Sequence, residues 1–169
     1  MAALRAIRQV SGVPATAQPM SETSSPQVER RTGTRELVDK LMAERTQMLV
    51  LFCRCAGLEP YNERAPVAKV VQEFCQVLVD YIAAGHFALY DRVLNGTERR
   101  QEVLRLAEGL YPRIAATTEA AVAFNDKYDC GDPCRDLETL AADLSRLGEE
   151  LAARIELEDR LIQALQRRG

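Results

Sequence analysis

The chain has 169 residues, 47% of them hydrophobic and 28% charged, enough for one domain with its own core. A formal charge of -3 argues against a basic nucleic-acid surface, because phosphate contacts need clustered Lys and Arg, and suits a basic or mixed-charge protein partner instead. No apolar run approaches the ~18 residues of a spanning helix, and the start MAALRAIRQV lacks the apolar stretch of a secretory signal, so the chain is expected in the cytoplasm without membrane contact.

Residues 1–32, with SGVPATAQPMSETSSP at their centre, hold little to bury and cannot offset the entropy of ordering. They are expected to be a disordered N-terminal tail, and residues 33–167 a single helical bundle domain. MAALRAIRQV has the character of a short amphipathic helix, which is marginal in water by itself. A start at Met20 would remove nothing the fold needs. The first helix is expected from Thr34 to Cys55, ending at Gly57, a residue suited to the left-handed cap. Its apolar stripe is Leu37, Leu41, Met48, Phe52 and Cys55, and Arg45 falls within it.

After the linker LEPYNERAP, a central helix is expected from Pro66 to Leu94, with Val67, Val71, Phe74, Cys75, Leu78, Val79, Ile82, Leu89 and Val93 on one side. Gly85 marks a candidate bend or close crossing. Asn95-Gly96-Thr97 ends this helix, and Thr97 is placed to cap a shorter one from Glu98 to Gly109, with Val103, Leu106, Ala107 and Leu110 inward. Pro112 then opens a further helix with Ile114, Ala121, Phe124 and Tyr128 inward. The last helix, Asp136 to Gln166, carries the seam Leu137, Leu140, Leu144, Leu147, Leu151, Arg154, Glu158, Leu161 and Leu165. The expected fold is all-α: an up-down bundle of four long helices plus a shorter helix, with a buried polar layer.

That layer is read from five polar residues on core faces: Arg45 in the first helix, His86 and Tyr90 in the central one, Arg154 and Glu158 in the last. Ionised groups stay buried only when paired, so the five call for one hydrogen-bonded arrangement. A network that fixes helix register is the preferred explanation. A small-ligand pocket or a proton-transfer site remain alternatives at this stage. Metal is not expected: one histidine and no Glu-x-x-His pair cannot build a di-iron bundle site, and zinc needs four good ligands. Five unevenly spaced cysteines do not form a disulfide framework, and Cys53, Cys55, Cys130 and Cys134 are read as reduced thiols. No phosphate loop, nucleophile elbow or Cys–His pair suggests an enzyme, and no cofactor is expected.

The outer side of the central helix is the second anomaly. Glu73, Gln76, Asp80, Ala84, Phe87 and Asp91 make an acidic stripe with one aromatic ring in it. A single surface ring often packs beneath a loop. The functional reading is a docking face, with Phe87 as anchor and the acids meeting a partner's Lys or Arg.

The runs RELVDKLMAERTQMLVLFCRCAGLEP, FCQVLVDYIAAGHFALYDRVL and LAARIELEDRLI, in that order over about residues 28–166, closely resemble the Rsd/AlgQ family, the regulators of sigma D of gamma-proteobacteria. FNDKYDCGD is similar to the alginate-regulator branch. The resemblance implies an all-helical anti-sigma factor that binds the primary sigma factor of bacterial RNA polymerase through its C-terminal domain, which reads promoters with a basic helix-turn-helix. Such binding would keep sigma from core polymerase and from DNA. Carried over, Asp80 and Phe87 are the best partner-contact candidates and Asp91 a weaker one. Arg45, His86, Tyr90, Arg154 and Glu158 stand at matching positions and are assigned to the interior. The N-terminal tail and the Cys53, Cys55 pair depart from the pattern.

Overall fold

A computed structural model describes residues 26–58, 67–94, 98–129 and 137–167. These form four long helices and, among the described residues, no strand. Helix α1 is Pro26–Cys55 and α2 is Val67–Gly85, which continues without a break through a π-helical turn, His86–Tyr90, and a last α turn, Asp91–Leu94. Helices α3, Gln101–Tyr128, and α4, Leu140–Gln166, complete the set.

Helix α1 begins eight residues before Thr34, inside the segment expected to be a tail. It ends as its sequence indicates. Gly57 has φ +66, and the Leu58 and Gly57 amides donate to Cys53 and Arg54 carbonyls at 3.0 and 3.2 Å, a Schellman closure that only a residue tolerant of positive φ permits cheaply.

The larger difference is α3. The shorter helix Glu98–Gly109 and the helix opening at Pro112 are one element, with Pro112 inside it. Proline removes one amide donor and crowds the preceding turn, which normally breaks a helix. Here Glu108, Gly109 and Pro112 all lie on the exposed side, so water can reach the backbone oxygen that proline leaves unbonded. Burial of Ala107, Leu110 and Ile114 on the other side holds the two halves in line. The proposed Thr97 cap, the Pro66 start, the Asp136 start and the Cys130–Cys134 loop lie outside the described residues.

Paired side chains give the topology. Leu41 of α1 lies beside Gly85 of α2 while Phe52 meets Phe74, so these two run antiparallel. Phe74 meets Phe124 and Tyr90 meets Tyr111, which sets α3 antiparallel to α2. Arg100 at the start of α3 reaches the last carbonyls of α4, and Lys127 at its end reaches Asp143, so α4 reverses again. Phe52 against Gly148 and Arg45 against Glu158 close α1 onto α4. The order is therefore up-down-up-down. A Cβ on Gly148 would sit 2.9 Å from the Phe52 ring, so this closure depends on the missing side chain.

The core is one continuous cluster from Val38 to Ile162. Phe52, Phe74 and Phe124 join three helices edge to face, at 5.9 and 5.7 Å between ring centres, a geometry worth about 0.5–1.5 kcal/mol per pair beyond burial. The seam of α4 is buried from Leu140 through Leu161, Arg154 and Glu158 included. Val67, expected inward, is half exposed at the start of α2.

Candidate functional site

The inner side of α2 is built around Gly85. A Cβ there would fall 2.9 Å from Glu158 Oε1, 3.3 Å from Arg154 and 3.6 Å from Leu41. Glycine thus leaves the space into which charged side chains of α4 extend. Glu158 is fully buried, and its Oε2 accepts from Tyr81 at 2.6 Å and from Arg45 at 3.1 Å. Its Oε1 faces Arg154 Nε at 2.8 Å, one turn earlier on α4; the approach is an ion contact without hydrogen-bond alignment. Arg154 donates onward to Thr118 at 2.8 Å and Thr117 at 3.3 Å, and both hydroxyls donate to the Ile114 carbonyl. The Arg154 guanidinium also lies 5.6 Å from the centre of the Tyr81 ring.

Arg45 completes the cluster from α1 and extends it to the surface, donating to Asp159 at 2.6 Å. Burial opposes its charge, but the Asp159 hydrogen bond and the fields of Tyr81, Glu158 and Asp159 outweigh that and raise its pKa. Burial pushes the Tyr81 phenol up, and the Glu158 carboxylate adds to it, so Tyr81 stays a donor at any ordinary pH. Two arginines, two acids, a phenol and two threonine hydroxyls from all four helices therefore meet at one level of the bundle.

Tyr81 was not among the residues singled out in the sequence. The signal was there: it stands three after Leu78 and four before Gly85, on the core side, where a phenol must find a partner. The threonines gave none, because a mid-helix threonine usually bonds its own backbone.

His86 and Tyr90 feel the charge of Arg154 but are not among the side chains hydrogen-bonded in this cluster. The Asp91 amide donates to the His86 carbonyl, five residues back, so this turn is wider than an α turn. It buries three consecutive residues, Ala88, Leu89 and Tyr90, and leaves His86 only half-buried. His86 packs against Phe87 and Tyr90 at 5.4 and 6.4 Å, and Tyr90 packs against Tyr111 at 5.9 Å. The buried Tyr90 hydroxyl has no hydrogen-bond partner among the described residues. Burial lowers the His86 pKa; Asp91 opposes this and Arg154 adds to it. Burial likewise raises the Tyr90 phenol.

The outer side of α2 carries the remaining candidates. Phe87 is 56% exposed, the most exposed large hydrophobic among the described residues. Asp80 and Gln76 are exposed, while Glu73 and Asp91 are half-buried. Gly85 and Phe87, two residues apart, thus face the interior and the solvent. Cys53 and Cys55 are free thiols; burial pushes Cys55 up to about 12, which leaves it protonated and unreactive. No helix among the described residues is long and apolar enough to cross a membrane.

The described residues thus form a four-helix bundle whose second helix carries an exposed aromatic ring near acidic side chains. Comparison with known proteins gives its family. The sequence profile of the family described as regulator of RNA polymerase sigma(70) subunit, Rsd/AlgQ, matches residues 20–166, and the chain belongs to that family. A Regulator of sigma D from Yersinia pseudotuberculosis serotype O:1b (strain IP 31758) is 35% identical over 142 residues, covering 80% of this chain and 82% of the relative. One from Yersinia enterocolitica serotype O:8 / biotype 1B (strain NCTC 13174 / 8081) is 34% identical over 142 residues, covering 80% and 83%. One from Escherichia coli O1:K1 / APEC is 36% identical over 141 residues, covering 79% and 86%. No solved structure matches the chain.

Proposed function

We propose that this chain is a cytoplasmic anti-sigma factor that binds the C-terminal, promoter-reading domain of the primary sigma factor and sequesters it from RNA polymerase core and promoter DNA. The observation that carries this reading is Phe87, exposed between Asp80 and Asp91 on the outer side of α2, in a chain of a sigma-regulator family. A basic helix-turn-helix meets complementary charge on that face, and the ring supplies the apolar anchor such interfaces centre on. Gln76 and Glu73 extend the contact along α2. A complex of ordinary size covers about 800 Å² per partner, so the neighbouring helices contribute as well. The protein contacts no DNA itself and uses no cofactor.

On this reading Arg45, Arg154 and Glu158, with His86 and Tyr90 beside them, set the register of the bundle and hold α2 so that its outer face is presented. A small-ligand-sensing interior is less well supported, because Arg45, Tyr81 and Arg154 already occupy the Glu158 carboxylate. The test is gel filtration of the purified protein with the C-terminal sigma domain. A complex weakened by Asp80→Ala and by Phe87→Ala is expected; binding unchanged by both would overturn the interface. Recovery of the primary sigma factor from lysate by the intact chain would support the partner.

A further inference from the structure

One stretch of the sequence lies outside the described residues and outside the proposed interface: MAALRAIRQV, residues 1–10. We propose that this segment docks on the outer side of α2 over Phe87 and covers the face in the free protein, as an intramolecular competitor of a basic partner. The face is the one assigned above to the sigma factor, and the inference rests on that assignment only for what the cover excludes.

Three observations support the occupant. The first is charge. Residues 1–20 contain Arg5, Arg8 and no acid, so 20 of the 22 Lys and Arg stand with all 25 Asp and Glu in the remainder of the chain. A basic segment is thereby tethered to an acidic domain, and Asp80 with Asp91 flanks the one exposed ring of α2. A second copy of the chain would set acid against acid on the same face.

The second is chemical pattern. Leu4, Ile7 and Val10 recur at three-residue spacing with Arg5 and Arg8 between them. That is the combination of apolar anchor and cation that an aromatic ring between carboxylates accepts.

The third is reach. Because α1 and α2 run antiparallel with Leu41 beside Gly85, α1 begins at the end of the bundle towards which the π turn points. From Pro26 to the level of Leu41 the helix rises about 22 Å. The fifteen residues 11–25 span up to about 50 Å when extended, so residues 1–10 reach Phe87 without strain. The family profile matches from residue 20, so residues 1–10 lie outside the matched span. A chain beginning at Met20 is therefore a natural comparison.

The experiment compares amide NMR spectra of the full chain and of a variant beginning at Met20. Resonances of Asp80, Phe87 and Asp91 should differ between the two. The full chain carrying Arg5→Glu and Arg8→Glu should match the shorter form at those positions. Superimposable α2 resonances would overturn the proposal. So would shifts confined to the cleft of about 270 Å³ between α3 and α4, lined by Phe124, Tyr128 and Leu147. Titration with the C-terminal sigma domain gives the second readout. The variant from Met20 should bind roughly threefold tighter or more, since a covered face lowers apparent affinity by its uncovered fraction. The gap should shrink as salt screens the contact. Equal affinities would overturn the cover. Absence of binding by both forms, with the NMR differences intact, would overturn the sigma assignment and leave the self-docking in place.

Discussion

Gly85 and Phe87 are two residues apart on one helix and do opposite work. At Gly85 the absence of a side chain admits Glu158 and Arg154 to the bundle interior, where every charge has a partner within hydrogen-bond range. At Phe87 a large ring stands 56% exposed with an acid on either side. The π turn begins between them, at His86, and residues two apart on a helix point to nearly opposite sides. The comparison teaches that burial and exposure here are matters of consequence rather than of hydrophobicity. On the proposed reading the interior charges answer for stability and the exterior ring for recognition, so substitutions on the two sides should separate cleanly.

The largest effect is expected from Glu158→Leu, which leaves the Arg45 and Arg154 guanidiniums buried together without their carboxylate. Urea unfolding should register a loss of about 3–5 kcal/mol. Next comes Tyr81→Phe, which removes the 2.6 Å donor to Glu158 and keeps the ring. A hydrogen bond to a charged group is worth about 1.5–3 kcal/mol, and the same titration should show it. Gly85→Ala places a methyl 2.9 Å from Glu158 Oε1. Overpacking costs about 1–3 kcal/mol, of which alanine's better helix preference returns up to about 1. If thermal melts show Gly85→Ala to be stabilising, the interior at this level is looser than the packing indicates.

A surface pair at the other end of the bundle supplies a pH test. The Lys127 hydrogen bond at 2.6 Å, then that of Tyr128, holds the Asp143 carboxyl at about 2, below its ordinary value. A depressed folded pKa stabilises the native state above the unfolded value near 4, and this is lost as pH falls towards about 2. Acid titration followed by circular dichroism should show that loss in the parent protein. Asp143→Asn should lack it, with a smaller overall effect than any interior substitution. The smallest change in stability is expected from Phe87→Ala, within about 0.5 kcal/mol. Binding of the sigma domain should nevertheless fall tenfold or more, as for a central aromatic anchor. A Phe87→Ala protein that melts early and binds normally would reverse the comparison.

Much of the bundle was legible in the sequence. Periodicity placed Leu41, Met48, Leu78, Leu89, Leu144 and Leu151 in the core, and Gly57 at its cap, because these follow from local spacing and backbone preference. The same spacing put Arg45, Arg154 and Glu158 on inward faces, and all three are buried. It failed at Pro112. Proline's cost is local, and only the burial on both sides of it, set by α2 and α4, decided that one helix continues. It failed at His86 for a related reason. A wheel assumes a constant ~100° per residue, and the π turn breaks that assumption where three consecutive residues are drawn into the core.

What the sequence determined by itself was therefore the helical period of the apolar stripes, most of their members and the requirement that inward charges be paired. A stripe is a property of spacing along one chain, and an ionised side chain within it has to be matched whatever the partner. Only the tertiary structure decided the matches: Tyr81 rather than Tyr90 at Glu158, the threonines of α3 at Arg154, and the Arg100 side chain bound to the end of α4. Those pairings join residues 36 to 77 positions apart, whose meeting depends on how four helices settle against one another.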